Sequence, residues 1–216
     1  MRPDFPMFDT VSRLSELENA LRHLPAAKRA ALLKSITDLF LENVGRYRPA
    51  QINLFDRLLN QLIGGAEKET VAALSRRLAP IAHAPVAVIS RLALDDEISV
   101  AEPVLMRSTC VEYSILVDIA RTKGQTHLLA IACRAKLAQG IVDLLIARGD
   151  EVVVRYVANN RGAHISESGI AALVERAKSD DALAILISKR GDIPPHLLAM
   201  LPDAARKTST GANAAA

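Results

Sequence analysis

The chain has 216 residues and a formal net charge of +3, with half its residues hydrophobic and about a quarter charged, which excludes a disordered polymer. Two Cys cannot staple a fold of this length, so a disulfide scaffold is excluded too. No apolar run reaches the ~18 residues of a bilayer crossing, and Met1-Arg2-Pro3-Asp4-Phe5-Pro6 lacks the apolar core of a secretory signal, so a cytoplasmic protein with no membrane segment is expected.

Residues 1–10 read as an N-terminal extension. Val11, Leu14, Leu17, Leu21 and Leu24 then recur at helical spacing and make one apolar stripe. Leu32, Leu33, Ile36, Leu39 and Phe40 repeat the pattern in a second helix. Pro49 suits a first helical position, where its missing N–H costs nothing. Ile52, Phe55, Leu58, Leu59 and Leu62 follow, with Gly64-Gly65 expected to supply a left-handed stop. Residues 11–65 are thus expected to form a helical N-terminal cap. Another helix runs from about Glu67 through Val71, Leu74 and Leu78 to a break at Pro80.

Beyond residue 80 the predicted helices shorten. Pro85, Pro103, Pro194 and Pro195 fall near helix starts, and Gly124, Gly140, Gly149 and Gly191 in or near turns. Ser99-Val100-Ala101-Glu102 matches a capping box, with Ile98 placed as a hydrophobic staple. Ser166 repeats the cap, with Gly169 where the reciprocal acid would stand. Ser179, Asp180 and Asp181 offer N-terminal chemistry before Leu183. Val152-Val153-Val154 is the best strand candidate, yet it sits in a helix-compatible stretch, and the chain reads as all-α.

Four blocks close these short helices: Leu92-Ala93-Leu94-Asp95, Ile131-Ala132-Cys133-Arg134, Val157-Ala158-Asn159-Asn160 and Ile187-Ser188-Lys189-Arg190. Each ends on a polar residue, and an apolar plug follows at Ile98, Leu137, Ile165 or Ile193. Irregular spacing of about 25–40 residues is characteristic of divergent helical hairpins, which bury their apolar faces by stacking. The expected fold is a short right-handed α-solenoid of HEAT/ARM-like hairpins over residues 66–203, continuous with the cap as one domain. Residues 204–216 lack apolar periodicity and read as a flexible tail.

Arg77-Leu78-Ala79, Ala84-Pro85, Ala101-Glu102-Pro103-Val104-Leu105, His127-Leu128-Leu129-Ala130-Ile131-Ala132 and Gly191-Asp192-Ile193-Pro194-Pro195 carry a family likeness. Over roughly Ala30 to Leu201 the chain resembles the HEAT-like alphaproteobacterial family known as domain of unknown function 2336. The resemblance implies a helical repeat fold and brings no activity, cofactor or catalytic residue with it.

Chemistry-bearing motifs are sparse. His23, His83, His127, His164 and His196 show no metal-ligand spacing with one another or with Cys110 and Cys133. No phosphate-binding glycine loop and no Gly-x-Ser-x-Gly occurs. Asp95-Asp96-Glu97 and Asp180-Asp181 read as acids complementing helix N-termini. No cofactor is expected, nor an enzyme.

Equivalent places in the blocks put Arg134, Asn160 and Arg190 on one expected ridge, joined by Arg155 and Lys189. That ridge suits an acidic partner segment; the plainer reading is that each residue caps carbonyls at its own helix end. The expected function is a non-enzymatic scaffold or regulatory module binding a protein partner along the solenoid surface. The alternative is a nucleic-acid-binding, DNA glycosylase-like protein, with Tyr113 and Asp118, or Tyr156 and Arg155, as its candidates. Four Phe, three Tyr, no Trp and interspersed charges argue against it. Partner identity and oligomeric state are open at this level.

Overall fold

The computed structural model describes residues 24–202. The expected extension, the 11–24 stripe up to residue 23, His23 and the 204–216 tail lie outside the described residues. Those described are all-helical: α1 (Ala26–Glu42), α2 (Pro49–Ile63), α3 (Lys68–Leu78), α4 (Val86–Ala93), α5 (Ile98–Arg107), α6 (Tyr113–Thr122), α7 (Gln125–Ala132), α8 (Gln139–Arg148), α9 (Glu151–Asn159), α10 (Glu167–Ala177), α11 (Asp181–Ser188) and α12 (Pro195–Leu198). The valine run 152–154 lies in α9. Among the described residues the nearest thing to a sheet is one isolated parallel bridge between Leu137 and Ala163.

Two compact units divide the chain. Among the described residues, those up to Val104 with Ser108–Val111 form the first, and Leu105–Arg107 with those from Glu112 form the second. The division falls inside α5, whereas the expected cap-to-array boundary at 65–66 lies between α2 and α3.

In the first unit α1 packs on α2 and α3, and α4 packs on α2 and α3. Leu33, Phe40, Leu59, Leu62, Val71 and Leu78 are buried there. Tyr47 and Phe55 meet edge-to-face, ring centroids 4.9 Å apart, beside Phe40. Asp56 of α2 caps α4 from outside: its carboxylate accepts from the Val88 and Ala87 amides at 2.8 and 3.0 Å. Pro85 stands at the cap position of α4 with no side-chain acceptor of its own, so α2 supplies one.

The second unit is built from consecutive pairs. Helices α6 and α7, α8 and α9, and α10 and α11 pack within pairs, while α6, α8, α10 and α12 pack in succession on one side and α7, α9 and α11 on the other. Buried Leu116, Ile119, Val142, Leu145, Leu173 and Val174 fill the first row; Leu128, Ile131, Val154, Val157, Leu183 and Ile187 fill the second. These residues follow helical spacing because each helix must bury a stripe against both its partner and its neighbours.

Several local expectations change. Gly64 ends α2 at φ −66, and Gly45 is the one described residue with positive φ, so the stop is not left-handed. Helix α5 begins at Ile98 behind Glu97, with no side-chain cap. Ser99 therefore lies inside the helix, and the capping box with its staple is absent. The Asp95 carboxylate instead accepts from the Glu97 amide at 2.9 Å, and that turn sets the helix start ahead of Ser99. Pro103 lies within α5 rather than at a start. Asp180 and Ser166 do cap α11 and α10, accepting from the Leu183 and Gly169 amides at 2.9 Å each. The Ser166 hydroxyl in turn donates to Asp143 of the neighbouring helix at 2.6 Å.

Candidate functional site

The blocks that close the short helices end α4, α7, α9 and α11. A helix end leaves carbonyls without intrahelical donors, and in the second unit the polar residues of the blocks supply those donors one pair later. Arg134 donates to the Leu105 carbonyl at 2.5 Å. Asn160 donates to the Ala132 and Arg134 carbonyls at 3.1 and 2.7 Å, and its side-chain oxygen accepts from the Gly162 amide at 2.9 Å. Arg190 donates to the Ala158, Asn160 and Ala163 carbonyls at 3.1, 2.8 and 3.1 Å. Each donor thus closes the end of an earlier helix, 26 to 32 residues upstream, not its own: α5 for Arg134, α7 for Asn160 and α9 for Arg190.

The side chain of Arg190 is 7 % exposed and also forms a two-pronged pair with Asp192, at 2.8 and 2.6 Å. That guanidinium holds the Asp192 carboxyl below the usual carboxylate range, with His164 adding to the effect. Burial lowers the pKa of Arg134. Arg155 points elsewhere, donating to Asp180 at 2.8 Å and pairing with Glu151 at 3.5 Å. The hydrogen bond from Arg155 pulls the Asp180 carboxyl down, and the same bond raises the Arg155 pKa. The Lys189 side chain is exposed, while its backbone N–H donates to the Ile187 carbonyl at the end of α11. Of the five ridge residues, Arg134, Asn160 and Arg190 form the row, Arg155 joins the start of α11, and Lys189 projects beside Arg190.

A second row of donors escaped the sequence reading. Arg148 donates to the Ala120 carbonyl and, at 3.4 Å, to that of Lys123. Arg176 donates to the Ile146 and Gly149 carbonyls at 2.9 and 3.0 Å. Both arginines stand in the last turn of their helices. That shared position was the available signal, but a cation there is ordinarily assigned to its own helix end.

Where the row ends, the loops after α9 and α11 enclose a recess of about 450 Å³, lined by Asn159, Arg161, Leu186, Lys189, Arg190 and Asp192 among others. Arg161, like Lys189, is exposed and pairs with no other described residue. One helical face away from the core, α9 exposes Val152 and Tyr156 to 48 and 50 %, on the stripe that leads to Asn159.

The remaining candidates are dispersed. His83, His164 and His196 are exposed and His127 is buried on α7. Cys110 and Cys133 form no disulfide and are half-buried, and the Cys110 thiol donates to the Ala82 carbonyl at 3.2 Å. Asp95 pairs with Lys68 at 2.7 Å. Among the described residues no three His, Cys, Asp or Glu side chains group as a metal site would require, and no helix is long and apolar enough to cross a membrane. Tyr113 and Asp118 are both exposed on α6, five positions apart and so on different faces.

The class these helices define is, over the described residues, an all-helical protein. The chain belongs to a particular family within it, since residues 100–209 match the family described as "Uncharacterised protein conserved in bacteria (DUF2336)". No curated protein and no solved structure matches the chain.

Proposed function

We propose that the helical pairs are HEAT-like repeats of an α-solenoid, and that the protein is a non-enzymatic cytoplasmic scaffold or regulatory module that binds a partner protein along the solenoid surface. One observation carries this reading: Arg134, Asn160 and Arg190 each bond the end of the helix two elements earlier, and Arg148 and Arg176 do the same in the other row. A row that spends its polar groups holding neighbours in register supplies a preorganised surface. Such a surface favours recognition over chemistry, for which nucleophile, base and electrophile must converge.

Affinity capture from native bacterial cytosol, with cross-linking and the full chain as bait, tests the reading. A protein enriched in proportion to bait and cross-linked to the helical rows is expected. Absence of any such protein overturns the reading. Titration with a DNA oligonucleotide at several salt concentrations tests the competing class, because phosphate contacts give a steep salt dependence. Tight, salt-steep binding would replace the scaffold reading with a nucleic-acid one.

A further inference from the structure

We infer that the recess beyond α9 and α11, with the α9 stripe leading into it, docks an acidic segment of the partner protein that carries an apolar side chain about three residues from its carboxylates. The inference deepens the scaffold reading and rests on it. Three observations support it.

The first is charge. Arg161 and Lys189 flank the recess as exposed cations with no partner among the described residues. Arg190 is already occupied by three carbonyls and Asp192. The recess therefore keeps two uncompensated positive charges, and a carboxylate entering it meets donors that no internal acid satisfies.

The second is rigidity. Arg190 ties the end of α11 to the end of α9, and Asn160 ties the α9 end to that of α7. The walls of the recess are held before any ligand arrives, so little ordering cost falls on this side.

The third is the apolar approach. Val152 and Tyr156 are half exposed on a stripe that continues to Asn159 at the recess. Seven residues of helix cover roughly 10 Å, which an extended peptide spans in about three residues. An aliphatic or aromatic side chain at the Val152 end of the stripe, against Tyr156, then leaves the carboxylates between Arg161 and Lys189. Leu186 supplies an apolar wall there. Nucleic acid fits this arrangement less well, because two cations beside an acidic Asp192 make a short electrostatic footprint.

The test uses the full-length, 15N-labelled chain and two synthetic peptides, Leu-Ser-Leu-Ser-Asp-Glu-Asp and its reversed sequence. Amide shifts should concentrate at Tyr156, Asn159, Arg161, Lys189 and Gly191 for one orientation. Changing the peptide acids to Asn and Gln should weaken binding about tenfold or more, and so should Arg161→Glu with Lys189→Glu. Tyr156→Ala should weaken it about threefold or more. If the charge-reversed pair melts early, Arg161→Gln with Lys189→Gln replaces it, with a loss of about threefold or more expected. The inference is overturned if neither peptide shifts these amides at millimolar concentration, if the neutral peptide binds equally well, or if a folded double variant binds like wild type. It is also overturned if a DNA oligonucleotide shifts the same amides while the peptides do not. A captured partner that the double variant retains fully would remove this site and leave the scaffold reading standing.

Discussion

Arg190 donates a 2.8 Å hydrogen bond to the main-chain oxygen of Asn160, the residue that holds the same block position one helical pair earlier. Asn160 does the same to the main-chain oxygen of Arg134, at 2.7 Å. Each link occupies a carbonyl that the end of a helix leaves open. The row is therefore as much a set of joints as a surface.

Arg190→Met tests the joint. It keeps much of the aliphatic stem but strands the Ala158, Asn160 and Ala163 carbonyls and the Asp192 carboxylate. A loss of about 2–4 kcal/mol in urea unfolding is expected. Lys189→Met, on an exposed neighbour, should stay within about 0.5 kcal/mol. Equal effects would show that the row bears no stability.

Asn160→Asp is nearly isosteric and removes both donors to Ala132 and Arg134 while keeping the acceptor for Gly162. It also sets a negative charge against two carbonyl oxygens. The variant should lose about 1–3 kcal/mol, read as a lower urea midpoint with an unchanged slope. An unchanged midpoint would mean that the amide bonds contribute nothing net.

Gly162→Ala should be costly for steric reasons. A Cβ built there would stand 1.9 Å from the Ala135 carbonyl oxygen, and the Gly162 carbonyl must still accept from the Leu137 amide at 3.0 Å. The two loops cannot separate without breaking that bond, so a loss of about 2 kcal/mol or more is expected. Gly124→Ala, where nothing lies within 4 Å of the new carbon, is the matched control and should be close to neutral. Thermal melts of the pair decide it.

Asp56→Ala removes the carboxylate that receives the Ala87 and Val88 amides at the start of α4. About 1 kcal/mol should be lost, as for a capping residue within its own helix. Amide exchange should quicken at Ala87 and Val88 first. Protection there equal to wild type would show that Asp56 is dispensable as a cap.

The Asp180 carboxyl is held below its ordinary range, first by the hydrogen bond from Arg155. Its folded pKa therefore lies below its unfolded one. The stabilisation is present above the unfolded value and is lost as pH falls through the folded one. Unfolding curves should show this component disappearing below about pH 4, and Asp180→Asn should flatten that part of the profile. Asn retains a side-chain oxygen for the Leu183 amide, so the variant separates charge from cap. Parallel wild-type and variant profiles between pH 2 and 5 would contradict the assignment.

Helix content was readable from the chain because a buried stripe imposes its period directly on the residues. Val157 and Ala158 end α9 as their block expects, and Asp180 caps α11, since both depend on neighbours a few positions away. The same local logic failed at Ser99, where Asp95 had already placed the start of α5. It failed again at Gly64, which ends α2 without entering the left-handed region.

Periodicity and block composition by themselves determined the all-helical character of the described residues, their short helices and the equivalence of Arg134, Asn160 and Arg190. Which helix end each donor closes was decided only by tertiary structure. An arginine side chain reaches several ångströms in any direction, and the carbonyls nearest in space belong to a helix about 30 residues earlier in the chain. The recess beside Arg161 and Lys189 likewise exists only once the loops after α9 and α11 lie together. Local spacing encodes which face of a helix is buried; what that face and its ends meet depends on the packing of whole helices.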